Sequence, residues 1–211
     1  MLRQRVLTAV VGVVALVIVV FLMPPRVALA FYAAAVLFAA WEWSALVRLK
    51  GSGARACYVA AIAVLMALAS NYAVAPEPYR QLLIVTAGWW AIALLWLMFI
   101  PERVSRVAAG VAGALVLVPA WTALSQLQIR LDHGPELVFY VLCLVWAADI
   151  GAYFVGRRFG QRRLAPRVSP GKTWEGVAGG MAGAALIAAV GAELFAVPML
   201  AFILLSVAVA L

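Results

Sequence analysis

Apolar runs long enough to cross a lipid bilayer make up most of this chain. Of its 211 residues, 68% are hydrophobic and 11% are charged, whereas an ordinary soluble domain has about 45–50% apolar and about 25% charged residues. Backbone polar groups inside a bilayer must be hydrogen-bonded within the protein, so only helices or closed barrels can span it. The runs lack the alternation of a barrel strand. We therefore predict an all-α, polytopic transmembrane helical bundle.

Breaks at proline, glycine and charged residues divide the chain into about eight predicted spans. The first is interpreted as a retained span and not as a signal peptide, because no small-residue cleavage site follows it. The predicted spans lie near residues 6–23, 27–47, 57–75, 80–100, 107–126, 137–155, 177–191 and 194–211.

The basic residues alternate in number between successive connections. Of the 16 Lys and Arg residues, 13 fall in the N-terminus and every second connection, and 3 (Arg26, Arg80 and Arg130) fall in the others. By the positive-inside rule, the N-terminus and the basic connections are predicted to be cytoplasmic. Topology and attraction to anionic headgroups explain the net charge of +8, so no nucleic-acid partner is expected.

Asp149 is the intramembrane acid that most strongly suggests a functional site. An acid inside a span costs about 2.5–3.5 kcal/mol on insertion scales, so its presence calls for a role. Counted from Phe154, Asp149 should lie about 7–8 Å deep, on one helix face with Trp146 and Tyr153. Pairing with an arginine of the following connection is one interpretation. The favoured one is a ligand for Mg²⁺ bound to a nucleoside triphosphate.

Four other polar or thiol side chains receive simpler interpretations. Glu42, near the cytoplasmic end of the second span, is expected to pair with Arg48 or another basic residue, with a place in the site as the alternative. Cys57 and Cys143 show no pairing or metal-ligand spacing and are interpreted as packed thiols. His133 has no second ligand nearby in the sequence and is expected to face solvent.

The connection from Gly156 to Trp174 holds six of the basic residues and no acid. Ser169, Pro170 and Gly171 are predicted to form a turn before Lys172, and the next helix is predicted to open at Trp174–Gly176. Free N–H groups at that helix start, together with the Lys172 charge, would attract an anion. The run from Gly171 to Thr173 also matches the end of a Walker A loop, but Pro166 and the absence of a preceding strand argue against that motif.

Glycines recur at four-residue spacing in the seventh span. The pairs Gly176 with Gly180 and Gly179 with Gly183 are small-xxx-small patterns. Close packing between helices in lipid is the favoured interpretation of both.

Two motifs give the chain a resemblance to a known family. Residues 149–160 match Asp-x-x-Ala-Tyr-Phe-x-Gly-Arg-x-Phe-Gly, and residues 169–176 match Ser-Pro-x-Lys-Thr-x-Glu-Gly. In this order, on a helix, a basic connection and a second helix, they resemble phosphatidate cytidylyltransferases. Outside this stretch the match is one of hydropathy pattern.

The resemblance implies a reaction and a set of site residues. A phosphate oxygen of phosphatidic acid would attack the α-phosphorus of CTP, giving CDP-diacylglycerol and diphosphate. Mg²⁺ would neutralise the phosphates, and positioning with charge neutralisation would suffice without a covalent nucleophile. A monovalent cation is an additional candidate cofactor. Asp149 would bind the metal, and Asp149, Lys172 and Glu175 would be catalytic. Substrate contacts would come from Arg157, Ser169, Lys172 and Thr173.

The resemblance also implies an organisation for the chain. We expect a single integral membrane domain over residues 1–211, with N-terminal helices in 1–126 and the start of a catalytic helical region in 137–211. The chain ends at Leu211 inside an apolar run and lacks the family's C-terminal signature, so we expect a truncated and inactive fragment. The site would face the cytoplasm from the inner membrane, and the family's dimerisation suggests a homodimer.

Two other functions remain open on the sequence. A CTP-dependent polyprenol or dolichol kinase would transfer the γ-phosphoryl group to a lipid alcohol. A transporter would use Asp149 and Glu42 as ion-coupling carboxylates, but transporters favour internal repeats and sites near the midplane, and neither is evident here.

Overall fold

Eight α-helices form in the part of the chain that the structure, a computed structural model, describes, namely residues 2–99, 104–166 and 168–210. A π-helical segment, Ile18–Leu22, continues the first helix. The helices are α1 (Leu2–Val17), α2 (Pro25–Leu46), α3 (Ser52–Tyr72), α4 (Pro76–Phe99), α5 (Arg106–Arg130), α6 (Gly134–Phe159), α7 (Trp174–Leu194) and α8 (Met199–Ala210).

The helices confirm the predicted all-α membrane bundle. Six of them, α2 to α7, are long and apolar enough to cross a membrane, and two shorter apolar helices cover Leu7–Leu22 and Met199–Ala210. The predicted ends at residues 100 and 211 lie outside the described residues. The cytoplasmic orientation of the N-terminus stays a prediction, as does the number of helices that cross the membrane.

The chain divides into two compact units, Met1–Pro135 and Glu136–Leu211. Their boundary falls between the two regions that the sequence assigned to 1–126 and 137–211. That both belong to a single domain stays a prediction.

The core of the first unit lies where α2, α3 and α5 meet. Trp43 on α2 donates its indole N–H to Ala109 O at 2.9 Å, and Tyr58 on α3 donates its hydroxyl to Gly110 O at 3.0 Å. Both rings reach α5 because Gly113 has no side chain; an added Cβ would lie 2.5 Å from Trp43 Nε1. The buried apolar residues of this core are Val36, Ala40, Ile62, Met66, Leu117 and Val118.

Arg55, and not Glu42, forms the polar contacts at the end of α2. Its guanidinium donates to Trp41 O at 2.7 Å and to Ser44 Oγ at 2.8 Å, and lies 4.2 Å from the Trp41 ring centroid. Glu42 is exposed, and the ion pair found among the described residues joins Glu77 to Arg80. The predicted pairing of Glu42 with Arg48 is therefore wrong. Arg48 follows the last helical turn with φ of 59°, where the chain leaves the helix direction.

Of the predictions for His133, Cys57 and Cys143, one is wrong. His133 is exposed, as predicted. Both cysteines are free; Cys143 is half-buried on α6, whereas Cys57 is exposed on α3. The prediction of a packed thiol is therefore wrong for Cys57, because its position lies on an outward face of that helix.

In the second unit, α7 packs against α6 through its glycines. An added Cβ on Gly180 would lie 3.1 Å from Ala148 O, and one on Gly176 would lie 3.4 Å from the Gly156 Cα. Gly179 and Gly183 approach the α6 backbone in the same way. The prediction of close helix packing is confirmed. These glycines are occupied within one chain, so they lend no support to the proposed homodimer.

Tyr140 on α6 connects the opposite end of this unit to α8. Its ring lies against Gly191 on α7, where an added Cβ would lie 2.5 Å from Tyr140 Cε2. Its hydroxyl hydrogen-bonds Ser206 Oγ at 2.6 Å, and its ring centroid lies 5.2 Å from that of Phe202. Tyr140 therefore joins all three helices of the unit at the end opposite the connection between α6 and α7.

Candidate functional site

Asp149 lies further from the end of α6 than the predicted span end at residue 155 placed it. The helix does not end near Phe154 but continues to Phe159, because Arg157 and Arg158 extend its last turn, where positive charge favours the helix dipole. Asp149 therefore lies ten residues from the helix end, or about 15 Å at 1.5 Å per residue. It is exposed. The depth of Asp149 below the membrane surface stays a prediction.

Asp149, Tyr153 and Arg157 form a stripe at four-residue spacing along one face of α6. The Arg157 guanidinium donates to the Tyr153 hydroxyl at 2.6 Å and lies 5.9 Å from that ring centroid. Trp146 is half-buried one turn before Asp149. The glycine contacts with α7 use other positions of α6, such as Ala148 and Gly151.

The glycine contacts also set the level of Asp149 relative to the start of α7. Gly180 lies opposite Ala148, next to Asp149 in the chain, and Trp174 begins α7 six residues earlier. Asp149 is one residue nearer the hairpin than Ala148, so its Cα lies about 7–8 Å further along the helix pair than that of Trp174, at 1.5 Å per residue. A nucleotide that is held by Lys172 and whose metal is bound by Asp149 must bridge this separation, and both roles stay predictions.

The basic connection folds as an antiparallel β-hairpin, which the sequence did not predict. Strands β1 (Arg163–Ala165) and β2 (Ser169–Thr173) pair Arg163 with Thr173 and Ala165 with Ser169. Ser169, Pro170 and Gly171 lie in β2, so the predicted Ser-Pro-Gly turn is wrong. The chain reverses before β2, where Val168 N donates to Ala165 O at 3.1 Å. We call residues 160–173 the basic hairpin.

Helix α7 begins at Trp174, as predicted, but its first turn is satisfied by the protein itself. Thr173 Oγ1 accepts from Gly176 N at 3.1 Å, as an N-cap residue does. Trp174 N donates to Arg162 O at 2.9 Å. The Glu175 carboxylate accepts from Gln161 N at 3.1 Å and from Arg162 N at 3.2 Å. The expected free N–H groups for an anion are thus partly occupied, and a side-chain carboxylate already lies there.

Glycines 156 and 160 make this close arrangement possible. An added Cβ on Gly156 would lie 3.2 Å from Thr173 Oγ1, and one on Gly160 would lie 2.8 Å from the same atom. No structural role was predicted for either glycine. Their spacing, Gly-Arg-x-Phe-Gly at a helix end, was the available signal, since glycines permit close backbone approach.

The predicted site residues therefore divide into two groups. Thr173 and Glu175 are half-buried in the joint between the basic hairpin and α7, while Ser169 is half-buried on β2. Lys172 and Arg157 are exposed, as are the other described basic side chains of this region. Those are Arg158, Arg162 and Arg163. Arg167 lies outside the described residues. The arrangement presents a cationic surface suited to phosphate groups.

No group of three or more His, Cys, Asp and Glu side chains that could hold a metal ion occurs within residues 2–99, 104–166 and 168–210. Asp149 would be a single carboxylate ligand. This donor set fits Mg²⁺, which binds to proteins through one or two carboxylates and takes further ligands from substrate phosphates and water.

Comparison with known proteins identifies relatives over most of the chain. The model of the cytidylyltransferase family matches residues 3–211. The phosphatidate cytidylyltransferase of Pseudomonas aeruginosa is 41% identical over 187 residues, which cover 86% of this chain and 67% of that protein. The protein of the same name from Haemophilus influenzae is 40% identical over 209 residues, covering 89% of this chain and 72% of that protein.

Proposed function

Because the chain belongs to the cytidylyltransferase family, we propose that it is a phosphatidate cytidylyltransferase, which makes CDP-diacylglycerol for phospholipid biosynthesis. The observation that carries the proposal is the match over residues 3–211, which include both motifs of the α6–hairpin–α7 region. Two relatives at 40–41% identity carry that name. Six long apolar helices make the chain a multi-pass membrane protein, and its lipid substrate would reside in the same bilayer.

The proposed reaction transfers the CMP moiety of CTP to a lipid phosphate. A phosphate oxygen of phosphatidic acid forms a bond to the α-phosphorus of CTP. The bond from that phosphorus to the oxygen bridging to the β-phosphorus breaks, and diphosphate leaves with the bonding electrons. No covalent enzyme intermediate is required, so the protein contributes orientation and neutralisation of charge.

The exposed cations of the basic hairpin, with Arg157 at the end of α6, are suited to hold the phosphates of CTP. Arg157 is pre-oriented by Tyr153, and a planar guanidinium can donate two parallel hydrogen bonds to one phosphate. Lys172 adds a mobile positive charge, and Ser169 and Thr173 flank it on β2. Asp149 would hold Mg²⁺ on the same face of α6, and the metal would neutralise phosphate charge when bound.

The position of the label in the product tests this proposal. With CTP labelled at the α-phosphorus and phosphatidic acid in mixed micelles, we expect the label to enter a chloroform-soluble product, with release of unlabelled diphosphate. With CTP labelled at the γ-phosphorus, the label should stay in the water-soluble fraction. Transfer of the γ-label to a lipid alcohol would instead identify a lipid kinase and contradict the proposal.

We further propose that the site faces the cytoplasm from the inner membrane. In a background with Cys57 and Cys143 replaced by serine, a Val168→Cys variant should react with a membrane-impermeant maleimide in inverted vesicles but not in intact spheroplasts. A Leu131→Cys variant, in the connection between α5 and α6, should show the opposite pattern. Both positions are exposed, at 44% and 50%. Labelling of the two from one side would contradict the topology.

A further inference from the structure

Glu175 is the only acidic residue in a long stretch of sequence that is otherwise rich in basic residues. Between Ile150 and Ala192 the sequence contains no other Asp or Glu, whereas residues 157–172 hold six Lys and Arg. The Glu175 carboxylate lies against backbone N–H groups. It forms no ion pair within the described residues. Its negative charge therefore lies where the basic hairpin meets the start of α7, which we call the joint. There it accepts hydrogen bonds from backbone N–H groups of the protein before any ligand binds.

The contacts of Glu175 fix the residues just before β1 to the start of α7. One oxygen, Oε2, accepts from Gln161 N at 3.1 Å and from Arg162 N at 3.2 Å, and Oε1 lies 3.3 Å from Arg162 N. Arg162 O in turn accepts from Trp174 N at 2.9 Å. Arg162 is thus held through both its N–H and its carbonyl by the first two residues of α7.

The end of β2 is also fixed to the start of α7. Thr173 pairs with Arg163 across the hairpin, caps α7 through Gly176 N, and packs against Gly156 and Gly160. Both ends of the basic hairpin are therefore joined within the first turn of α7. The direction in which its cationic side chains point depends on this joint.

We propose that Glu175 is a positioning residue that holds the basic hairpin in the orientation required to receive the phosphates of the nucleotide, and that it contacts neither the metal nor the substrate. This inference rests on the proposed function for the identity of the ligand. It changes the role implied by the family resemblance, in which Glu175 was a catalytic residue. The carboxylate acts on binding through Arg162 and the strands that follow it.

The inference predicts how amide exchange changes in the full-length protein. In Glu175→Ala, the amides of Gln161 and Arg162 lose their acceptor and should exchange about tenfold faster or more, as local opening becomes easier. Glu175→Gln keeps one amide oxygen as acceptor and should give an intermediate rate. Hydrogen exchange of peptides covering residues 160–166, followed by mass spectrometry, measures this. Glu193→Gln, which makes the same charge change at the other end of α7, is the matched control and should leave these rates unchanged.

Kinetics separate positioning from metal binding. The KM for CTP should rise about tenfold in Glu175→Ala, because a misaligned cationic surface binds phosphates less well, while kcat changes less. The Mg²⁺ concentration for half-maximal activity should stay the same. A shift in that Mg²⁺ dependence, with exchange at 161–162 unchanged, would overturn the inference in favour of a ligand role.

Failure of this inference is distinguishable from failure of the proposed function. Exchange rates at 161–162 that do not respond to Glu175→Ala refute the joint even if the wild-type protein is an active transferase. Transfer of the γ-phosphoryl group of CTP to a lipid alcohol by the wild-type protein refutes the function whatever the exchange rates are. Where Glu175→Ala fails to accumulate in membranes, Glu175→Gln, which keeps the side-chain size, supplies the same comparison.

Discussion

An Asp149→Asn variant of the full-length protein is expected to insert normally into the membrane and to lose metal-dependent CDP-diacylglycerol formation by about a hundredfold or more. Asparagine has nearly the size of aspartate but no charge, so it cannot replace a carboxylate ligand to Mg²⁺. The side chain is exposed and makes no described hydrogen bond or ion pair, so its replacement removes little packing. Initial rates with α-labelled CTP at saturating Mg²⁺ measure the loss.

Asp132→Asn is the matched control for this experiment. Asp132 is exposed in the connection between α5 and α6 and has no part in the proposed site, so the same chemical change there should leave the rate within about twofold of wild type. Equal amounts of both variants in the membrane fraction show that insertion is intact. Near-normal activity of Asp149→Asn would refute the assignment of Asp149 as the metal ligand.

Hydropathy predicted the number of helices and most of their positions because a bilayer imposes one dominant constraint, the satisfaction of every backbone polar group within a helix. The predicted helix ends were wrong where the apolar runs stop, because the bilayer no longer imposes this constraint there. Helix α6 continues past its predicted end at 155 through Arg157 and Arg158, since charged residues beyond the apolar run can still form helical hydrogen bonds. The predicted span therefore places fewer helical residues between Asp149 and the end of α6 than the structure has.

In the region of the candidate site, the sequence predicted where α7 begins but not the local structure of the connection that precedes it. The start of α7 at Trp174 agrees with the prediction. The β-hairpin does not, because Ser169, Pro170 and Gly171 are typical turn residues and the pairing of β2 with β1 depends on contacts distant in the sequence. The use of Glu175 as an acceptor for backbone N–H groups is likewise a tertiary feature that residue type alone does not predict.

The close contact between α6 and α7 connects the fold to the proposed chemistry. The stripe of Asp149, Tyr153 and Arg157 lies on α6, while the basic hairpin joins α6 to the start of α7. The relative level of the two helices is set by backbone contacts at glycine, such as that of Gly180 with Ala148 O. A change in this packing would therefore alter the separation between the predicted metal ligand and the predicted phosphate-binding cations.

Gly179→Leu is expected to destabilise the second unit strongly, and Gly179→Ala to do so by about 1–3 kcal/mol. Even the single Cβ of alanine would lie 2.5 Å from Val155 Cβ and 2.6 Å from Gly151 O. The second of these atoms belongs to the backbone of α6, so a rotamer change cannot relieve the overlap and the helices must separate. Thermal unfolding of the detergent-solubilised protein, followed by size-exclusion chromatography after heating, measures the loss of stability.

Gly88→Ala provides the control, because an added Cβ on this α4 glycine meets nothing within 4 Å. Alanine is favoured over glycine in a helix by about 0.8–1.0 kcal/mol where no contact opposes it, so Gly88→Ala should be neutral or stabilising. The two substitutions change the same group in the same kind of element and differ in what the new methyl contacts. Equal stability of the two variants would contradict the α6–α7 packing. Loss of CMP transfer in a still-folded Gly179→Ala variant would support dependence of the site on the level of the two helices.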